Sequence, residues 1–540
     1  VEGEQLRRML VARHPITGQR MGRGFGDSSA RAFDATFSAS KSISTLWPLS
    51  EDPSVRAEVL ASHDAAVTAA LGWLEDHGSV TRRGREGVDQ LGTRGITVAL
   101  FRQHTSRSID PQLHTHALIW SKVQHPTGAW LSLDARFLKD QQRSIGWIYD
   151  SALRVELTRR LGLAWEPISA FQIEIGGIPD DLRELFSKRS AQVEVRLSQL
   201  LRRWVDDHDG AEPPRRTVAR LQRLAVLDSR PPKGPSHEGD VLRAEWTQRA
   251  LVAGMEPPTL SRLARPVQSR WDPEAVVVEA VARVSGQSSS WLAADLAREI
   301  ATLVPLDAAG DATELVTLVD RLAEQGVRRC VELYPGAARS REVDPAVHVV
   351  ERKLSTWAIL EQESRLLSWA ANATGGSRPR QATSDSLDDA QAGAARAVAG
   401  DAGLVLVVGP AGTGKTTMLA TAVAELGSQG RPVLGLAPSG KAADVLSREA
   451  RCPALTLAKL LNGTGSMPPA GTTVLLDEAG MASTADLEAL VLMVTQHGWR
   501  LAAVGDPYQL PAVGRGGMFA HWCDTLPALR LEEVRRFEEA

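Results

Sequence analysis

The chain has 540 residues, 43% apolar and 24% charged, an ordinary globular composition that excludes disorder as the general state. Its 62 basic and 65 acidic residues leave a formal net charge of −3, which excludes a histone-like polycation but leaves room for a local basic groove. Three widely spaced cysteines, Cys330, Cys452 and Cys523, exclude a disulfide scaffold and a Cys-rich zinc module and fit a reducing cytoplasm, and no apolar run approaches the length of a membrane span.

At about 150 residues per domain the length suggests three or four domains. The N-terminal VEGEQLRRML has neither an initiator Met nor an apolar signal core, and the C-terminal EVRRFEEA stops without a turn, so the sequence reads as a fragment at both ends. The first block, residues 1–205, mixes β-like runs (Ile96–Phe101, Thr115–Ser121) with helical ones. Asp52 and Pro53 form a helix start, and the spacing predicts a helix from Val55 to His77 with Leu60, Val67, Leu71 and Leu74 on one face and Gly78 as its cap. Within this block, DPQLHTH places His114 and His116 two apart on a β-like run, so both rings share a face. If the run ending at Phe101 pairs antiparallel with Thr115–Ser121, His104 brings a third imidazole. Three neutral nitrogens with open positions would suit a catalytic metal. Spacing alone also allows a surface strand without function.

Residues 206–372 are dominated by helical patterning (Ala275–Ser285, Trp291–Leu303, Thr313–Gln325), with no catalytic signature, and residues 373–386 have linker composition. The third block, 387–540, alternates helices with short continuous apolar runs, LVLVV, PVLGLA, TVLLD and LAAVGD, the pattern of a parallel α/β sheet buried on both faces. Gly409–Thr417, GPAGTGKTT, lies between an apolar strand and a helix, where a P-loop belongs. Gly409, Gly412 and Gly414 let backbone N–H groups face phosphate, Lys415 would reach the β/γ-phosphates, and Thr416, followed by Thr417, would ligate Mg²⁺. In LLDEAGM, Asp477 would hold Mg²⁺ through water and Glu478 would polarise the attacking water. Gln509 in GDPYQLPAV is a candidate γ-phosphate contact, Gln391 a candidate adenine contact, and Arg535 and Arg536 candidate donors of positive charge to the transferring phosphate.

Taken in order, Gln391, GPAGTGKTT, GLAPSGKAADVL, LLDEAGM, GDPYQLPAV and LEEVRRF resemble the RecD-like group of superfamily 1 helicases over roughly the last 150 residues. The resemblance implies a RecA-like ATPase domain of a motor that uses ATP with Mg²⁺ on single-stranded DNA, with the second motor domain absent from the sequence. FDATFSASKSIS with FRQHTSRSIDPQLHTHALI resembles the MobF-type conjugative relaxases, the TrwC/TraI-like group of the HUH endonucleases. That implies an antiparallel sheet with helices, and three histidines holding a divalent metal (Mg²⁺, Mn²⁺ or Zn²⁺) that polarises a scissile DNA phosphate. It also implies a tyrosine nucleophile near the N-terminus, and an aspartate, here Asp34, that orients a histidine or assists the tyrosine. Many relatives carry the third histidine where this chain has Gln103, and His104 follows one residue later; His104 is the expected third ligand. The sequence has only Tyr149, Tyr334 and Tyr508, none near the N-terminus, and Tyr149 fits a core position.

The expected protein is therefore a cytoplasmic relaxase–helicase that nicks one strand at a transfer origin and unwinds DNA. Its partners would be single-stranded and origin DNA, a coupling protein and a type IV secretion apparatus. The alternative is a DNA-binding remnant or helicase fragment that does not nick. Arg102, Arg107 and Lys41 are candidate phosphate contacts, and Trp120 and Trp130 fit core positions better than base stacking.

Overall fold

A computed structural model describes residues 3–83, 89–169, 172–208, 213, 215–229, 239–263, 265, 270–333, 353–375, 387–410, 412–463, 467–509, 512 and 514–531. Arg535, Arg536, Tyr334 and most of the expected linker lie outside these. The chain divides into two compact units: residues 1–284 with 291–354, and residues 285–290 with 355–540. Among the described residues no helix is long and apolar enough to cross a membrane.

In the first unit, helix α1 (Gly3–Leu10) precedes strand β1 (Ala32–Ser38), and helices α2 (Lys41–Leu49) and α3 (Pro53–Gly78) follow. Strands β2 (Val98–Thr105) and β3 (Pro111–Trp120) complete an antiparallel sheet in the order β1–β3–β2. The antiparallel pairing expected from the sequence is thus present. Asp52 caps α3 by accepting the Ser54 N–H at 2.8 Å, with Pro53 in the first turn. The buried stripe of α3 differs from the expected one. It runs through Val55, Val59, His63, Val67, Ala70 and Leu74, while Leu60 and Leu71 sit half-buried on its flank. His63, Ala66 and Trp73, which a count of aliphatic positions passes over, pull the stripe round by a fraction of a turn.

Helix α4 (Gln142–Leu161) packs along α3. Helices α5 (Lys188–Asp206) and α6 (Arg215–Asp228) pair with each other. Helices α7 (Ala293–Leu303) and α8 (Ala312–Val327) pack on α4; the Ser144 and Ser151 hydroxyls donate to the Ala294 and Ala301 carbonyls of α7, and the Ala312 N–H of α8 donates to Glu156.

The second unit is a six-stranded parallel sheet. Helices α9 (Trp357–Ala373) and α10 (Asp389–Ala399) precede β4 (Leu404–Val408). Then come α11 (Lys415–Ser428), β5 (Val433–Ala437), α12 (Gly440–Ala450), β6 (Ala454–Thr456), β7 (Thr473–Leu476), α13 (Thr484–His497), β8 (Arg500–Gly505), α14 (Met518–Thr525) and β9 (Leu529–Arg530). The strand order is β6–β5–β7–β8–β4–β9, with every neighbouring pair parallel. All five residues of β4 are buried because its two faces belong to different cores. Leu404, Leu406 and Val408 join a core with Leu366, Leu487 and Trp522, whereas Val405 and Val407 join one with Val398, Met418 and Leu426. A strand covered on both sides has no polar face to show in sequence. This is a RecA-like arrangement, as the alternation of strands and helices predicted.

Candidate functional site

The alternation along β3 settles which side chains share a face. Leu113, Thr115 and Ala117 are buried, while His114 and His116 are half-buried on the other side. Their rings lie 5.2 Å apart, edge to face. Each ring is held through Nδ1. His114 Nδ1 donates to the Gln112 carbonyl at 2.9 Å, and His116 Nδ1 lies 3.0 Å from both carboxylate oxygens of Asp34 and 3.2 Å from the Thr36 hydroxyl. With the proton on Nδ1, each Nε2 presents a lone pair, the tautomer a metal-binding imidazole needs. Burial lowers the His114 pKa, which keeps that ring neutral near pH 7. Asp34 thus sits where the resemblance implied, on a histidine.

The third histidine, His104, lies near enough to His114 to interact electrostatically but is packed differently. Register pairs Phe101 with His116 and Gln103 with His114, and the ladder is irregular between Gln103 and Thr105, which pairs with Pro111. His104 stacks flat on the buried Trp47 of α2, centroids 4.6 Å apart and planes 14° from parallel. Its Nε2 is buried without a hydrogen-bond partner. Among the described residues no cluster of three His, Cys, Asp or Glu side chains is placed to hold a metal. The expected three-histidine set is not gathered into such a cluster, and the residue paired across the ladder from His114 is Gln103. In the Nδ1-protonated tautomer the histidine pair would offer two Nε2 donors on one face of β3 to a divalent ion.

The other face of β3 holds a buried relay that sequence reasoning missed. His63 Nε2 lies 2.7 Å from the Thr115 hydroxyl and Nδ1 2.9 Å from the Tyr149 hydroxyl. Burial pushes the His63 pKa down to about 4 and that of Tyr149 well up. Tyr149 is therefore a core residue, as expected, and no nucleophile. The one available signal was that Thr115, polar between two histidines, must face inward if they face outward.

Nearby, a cavity of about 540 Å³ is lined by Lys41, Gln112, Gln142, Arg143, Trp147 and Glu174, among others. Lys41 donates to the Pro111 carbonyl at 3.0 Å and to Gln112 Oε1 at 2.9 Å. Burial pulls its pKa down to about 8, opposed by the carboxylates of Asp110 and Glu174. Arg102 pairs with Asp64 at 2.5 Å. Trp120 is buried and donates to the Met9 carbonyl at 3.0 Å, and Trp130 packs against it half-buried.

In the second unit the loop after β4 carries Gly409, Gly412 and Gly414 into the N-terminus of α11. Gly414 has φ +73°, and a Cβ there would collide with the Gln391 amide, so two constraints require glycine. Lys415 Nζ lies 3.0 Å from Glu478 Oε1, and Thr416 and Thr417 open the helix. Burial, then the neighbouring Glu478, raises the Asp477 pKa. Glu478 occupies the left-handed region at φ +51°, a conformation that L-residues hold only under constraint. Gln509 is exposed on the loop after β8, its N–H bonded to the Asp506 carbonyl.

Gln391 differs from expectation. Its side chain is buried, with both ends committed: Oε1 accepts the Asp388 N–H at 3.2 Å and Nε2 donates to the Thr413 carbonyl at 2.9 Å. The first bond closes a capping box on α10, and the second ties that helix to the phosphate loop. In this arrangement the amide braces the loop.

Residues 1–252 match the family model described as TrwC relaxase, and residues 386–540 match that described as AAA domain. It is 36% identical over 156 residues to a probable conjugal transfer protein TraA of Sinorhizobium fredii, covering 28% of this chain and 14% of that protein. It is 32% identical over 200 residues to the conjugal transfer protein TraA of Rhizobium radiobacter, covering 35% and 18%. It is 28% identical over 269 residues to the multifunctional conjugation protein TraI of Escherichia coli, covering 47% and 14%. The match thus spans less than a fifth of the length of these relatives. A metal-bound structure of the conjugative relaxase TrwC with oriT DNA is 27% identical, covers 48% of this chain and 84% of that one, and superposes with a TM-score of 0.40.

Proposed function

We propose that this chain is the relaxase and first motor portion of a conjugative relaxase–helicase, which nicks one strand at a transfer origin and unwinds DNA with ATP. The observation that carries the reading is the pair His114 and His116, side by side on one face of β3 with each Nδ1 hydrogen-bonded, in a region that matches the TrwC relaxase model. A divalent ion bound there would draw charge off a DNA phosphate oxygen. The chain's own residues do the rest. Asp34 and the Gln112 carbonyl fix the two tautomers, and Lys41 and Arg143 line an adjoining cavity where a DNA phosphate would find positive charge. In the AAA domain, Lys415 would move from Glu478 to the β/γ-phosphates of ATP, freeing the carboxylate to orient water, and Thr416 and Asp477 would hold Mg²⁺. Gln509 would contact the γ-phosphate, and Arg536 would add charge to it. Single-stranded origin DNA, a coupling protein and a type IV secretion apparatus are the partners of this reading, by kinship with the conjugal transfer proteins.

A second reading, a protein that grips DNA without cutting it, draws on the tyrosines. Tyr149 is buried against His63, and Tyr508 belongs to the other unit. One experiment separates the two. The protein expressed from the whole source reading frame is incubated with Mn²⁺ and single-stranded DNA from the source origin. An SDS-resistant protein–DNA adduct that vanishes in His114→Ala and Asp34→Ala is the outcome expected of a relaxase. Metal-dependent binding without any adduct overturns nicking.

A further inference from the structure

Four observations bear on what completes the ligand set beside the two histidines. Both Nε2 atoms are unbonded while both Nδ1 atoms are committed. Gln103 stands directly across the antiparallel ladder from His114 and is exposed. Paired residues project to the same face, with Cβ atoms about 5 Å apart. His104, one residue on, stacks on Trp47, and pulling it away would uncover an indole that is only 8% exposed. Asp34 is already bonded to His116.

We infer that the metal centre of this chain is built from His114, His116 and the side-chain oxygen of Gln103, not from three histidines. The inference rests on the metal-binding reading above. A neutral amide oxygen is a harder and weaker donor than an imidazole nitrogen. Ions that favour nitrogen, Ni²⁺ and Zn²⁺, therefore lose more by the exchange than Mn²⁺, which favours oxygen. The centre is tuned toward oxygen-loving ions, and its open positions suit the oxygens of water or phosphate.

The test is calorimetric titration of the full, nucleotide-free chain with MnCl₂, NiCl₂ and ZnCl₂, with folding of each variant followed by circular dichroism. Gln103→His should tighten Ni²⁺ and Zn²⁺ by about tenfold or more and Mn²⁺ by under about threefold. Gln103→Leu should weaken Mn²⁺ by about tenfold, and Gln103→Glu, which restores an oxygen donor, should recover it. His104→Ala should leave all three affinities unchanged. The inference is overturned if Gln103→Leu binds every ion as the parent does, or if His104→Ala weakens binding as much as His114→Ala. If His114→Ala also binds like the parent, the metal reading itself fails. If only His114→Ala loses binding, that reading stands and the role of Gln103 falls.

Discussion

The two sites are built by opposite strategies. The phosphate loop is one continuous stretch of nine residues, Gly409–Thr417, whose working groups are largely backbone amides placed by glycines. The histidine site is assembled across strands β1 and β3 from side chains far apart in sequence, and its membership depends on which residue faces which. A contiguous backbone site tolerates errors in reading the fold, because the motif carries its own geometry. A cross-strand site does not, because a shift of one residue exchanges every side chain between the two faces.

The largest test of that contrast removes one side chain from each site. Lys415→Ala should cut ATP turnover by at least about a hundredfold, since a single preorganised charge on the transferring phosphate is lost. Metal titration at the histidine pair should be untouched, and a change there would show that the two sites are not independent. Asp34→Asn should then weaken metal binding by about ten- to a hundredfold, because Asn can turn an N–H toward His116 Nδ1 and unsettle the tautomer. ATP turnover without DNA should stay at the parent level.

Smaller effects probe the supports. Gln391→Leu breaks the capping box and orphans the Thr413 carbonyl, and should cost about 1–3 kcal/mol. Hydrogen exchange should rise in the peptides around 388–417 and not in β1–β3. If nucleotide discrimination changes while exchange does not, the amide reads the base after all. Smallest and most gradual is the pH response of the first unit. The folded pKa of His63 is held near 4, below its unfolded value near 6.5, so the unfolded chain binds more protons between these limits. Stability should therefore be full above about pH 6.5 and fall toward pH 4, by at most about 1.4 kcal/mol per pH unit from this group. His63→Gln should flatten that slope in denaturant titrations, while exchange in the phosphate loop should not follow it.

The same contrast explains what the sequence disclosed. The strands of the second unit were legible because burial on both faces leaves unbroken apolar runs such as Leu404–Val408. Asp34 followed from the family resemblance, and the shared face of His114 and His116 from strand alternation. His104 and Gln103 could not be separated without the pairing with β3, since either is a short step from the same strand. The brace made by Gln391 was hidden because a capping glutamine and a base-contacting one look alike until both ends of the amide are accounted for. His63 was hidden because a histidine inside a helix carries no sign of the strand it will meet.

The Gln103–His114 pair has a consequence in the language of the gene. Glutamine and histidine codons differ only in their third base, so one transversion at position 103 moves an imidazole into the place opposite His114 without altering the fold around it. Reaching the same end through His104 would require deleting a residue from β2 and breaking the stack on Trp47. On the inferred ligand set, a single base change at codon 103 would be enough to shift the metal preference of this chain from one chemistry to the other.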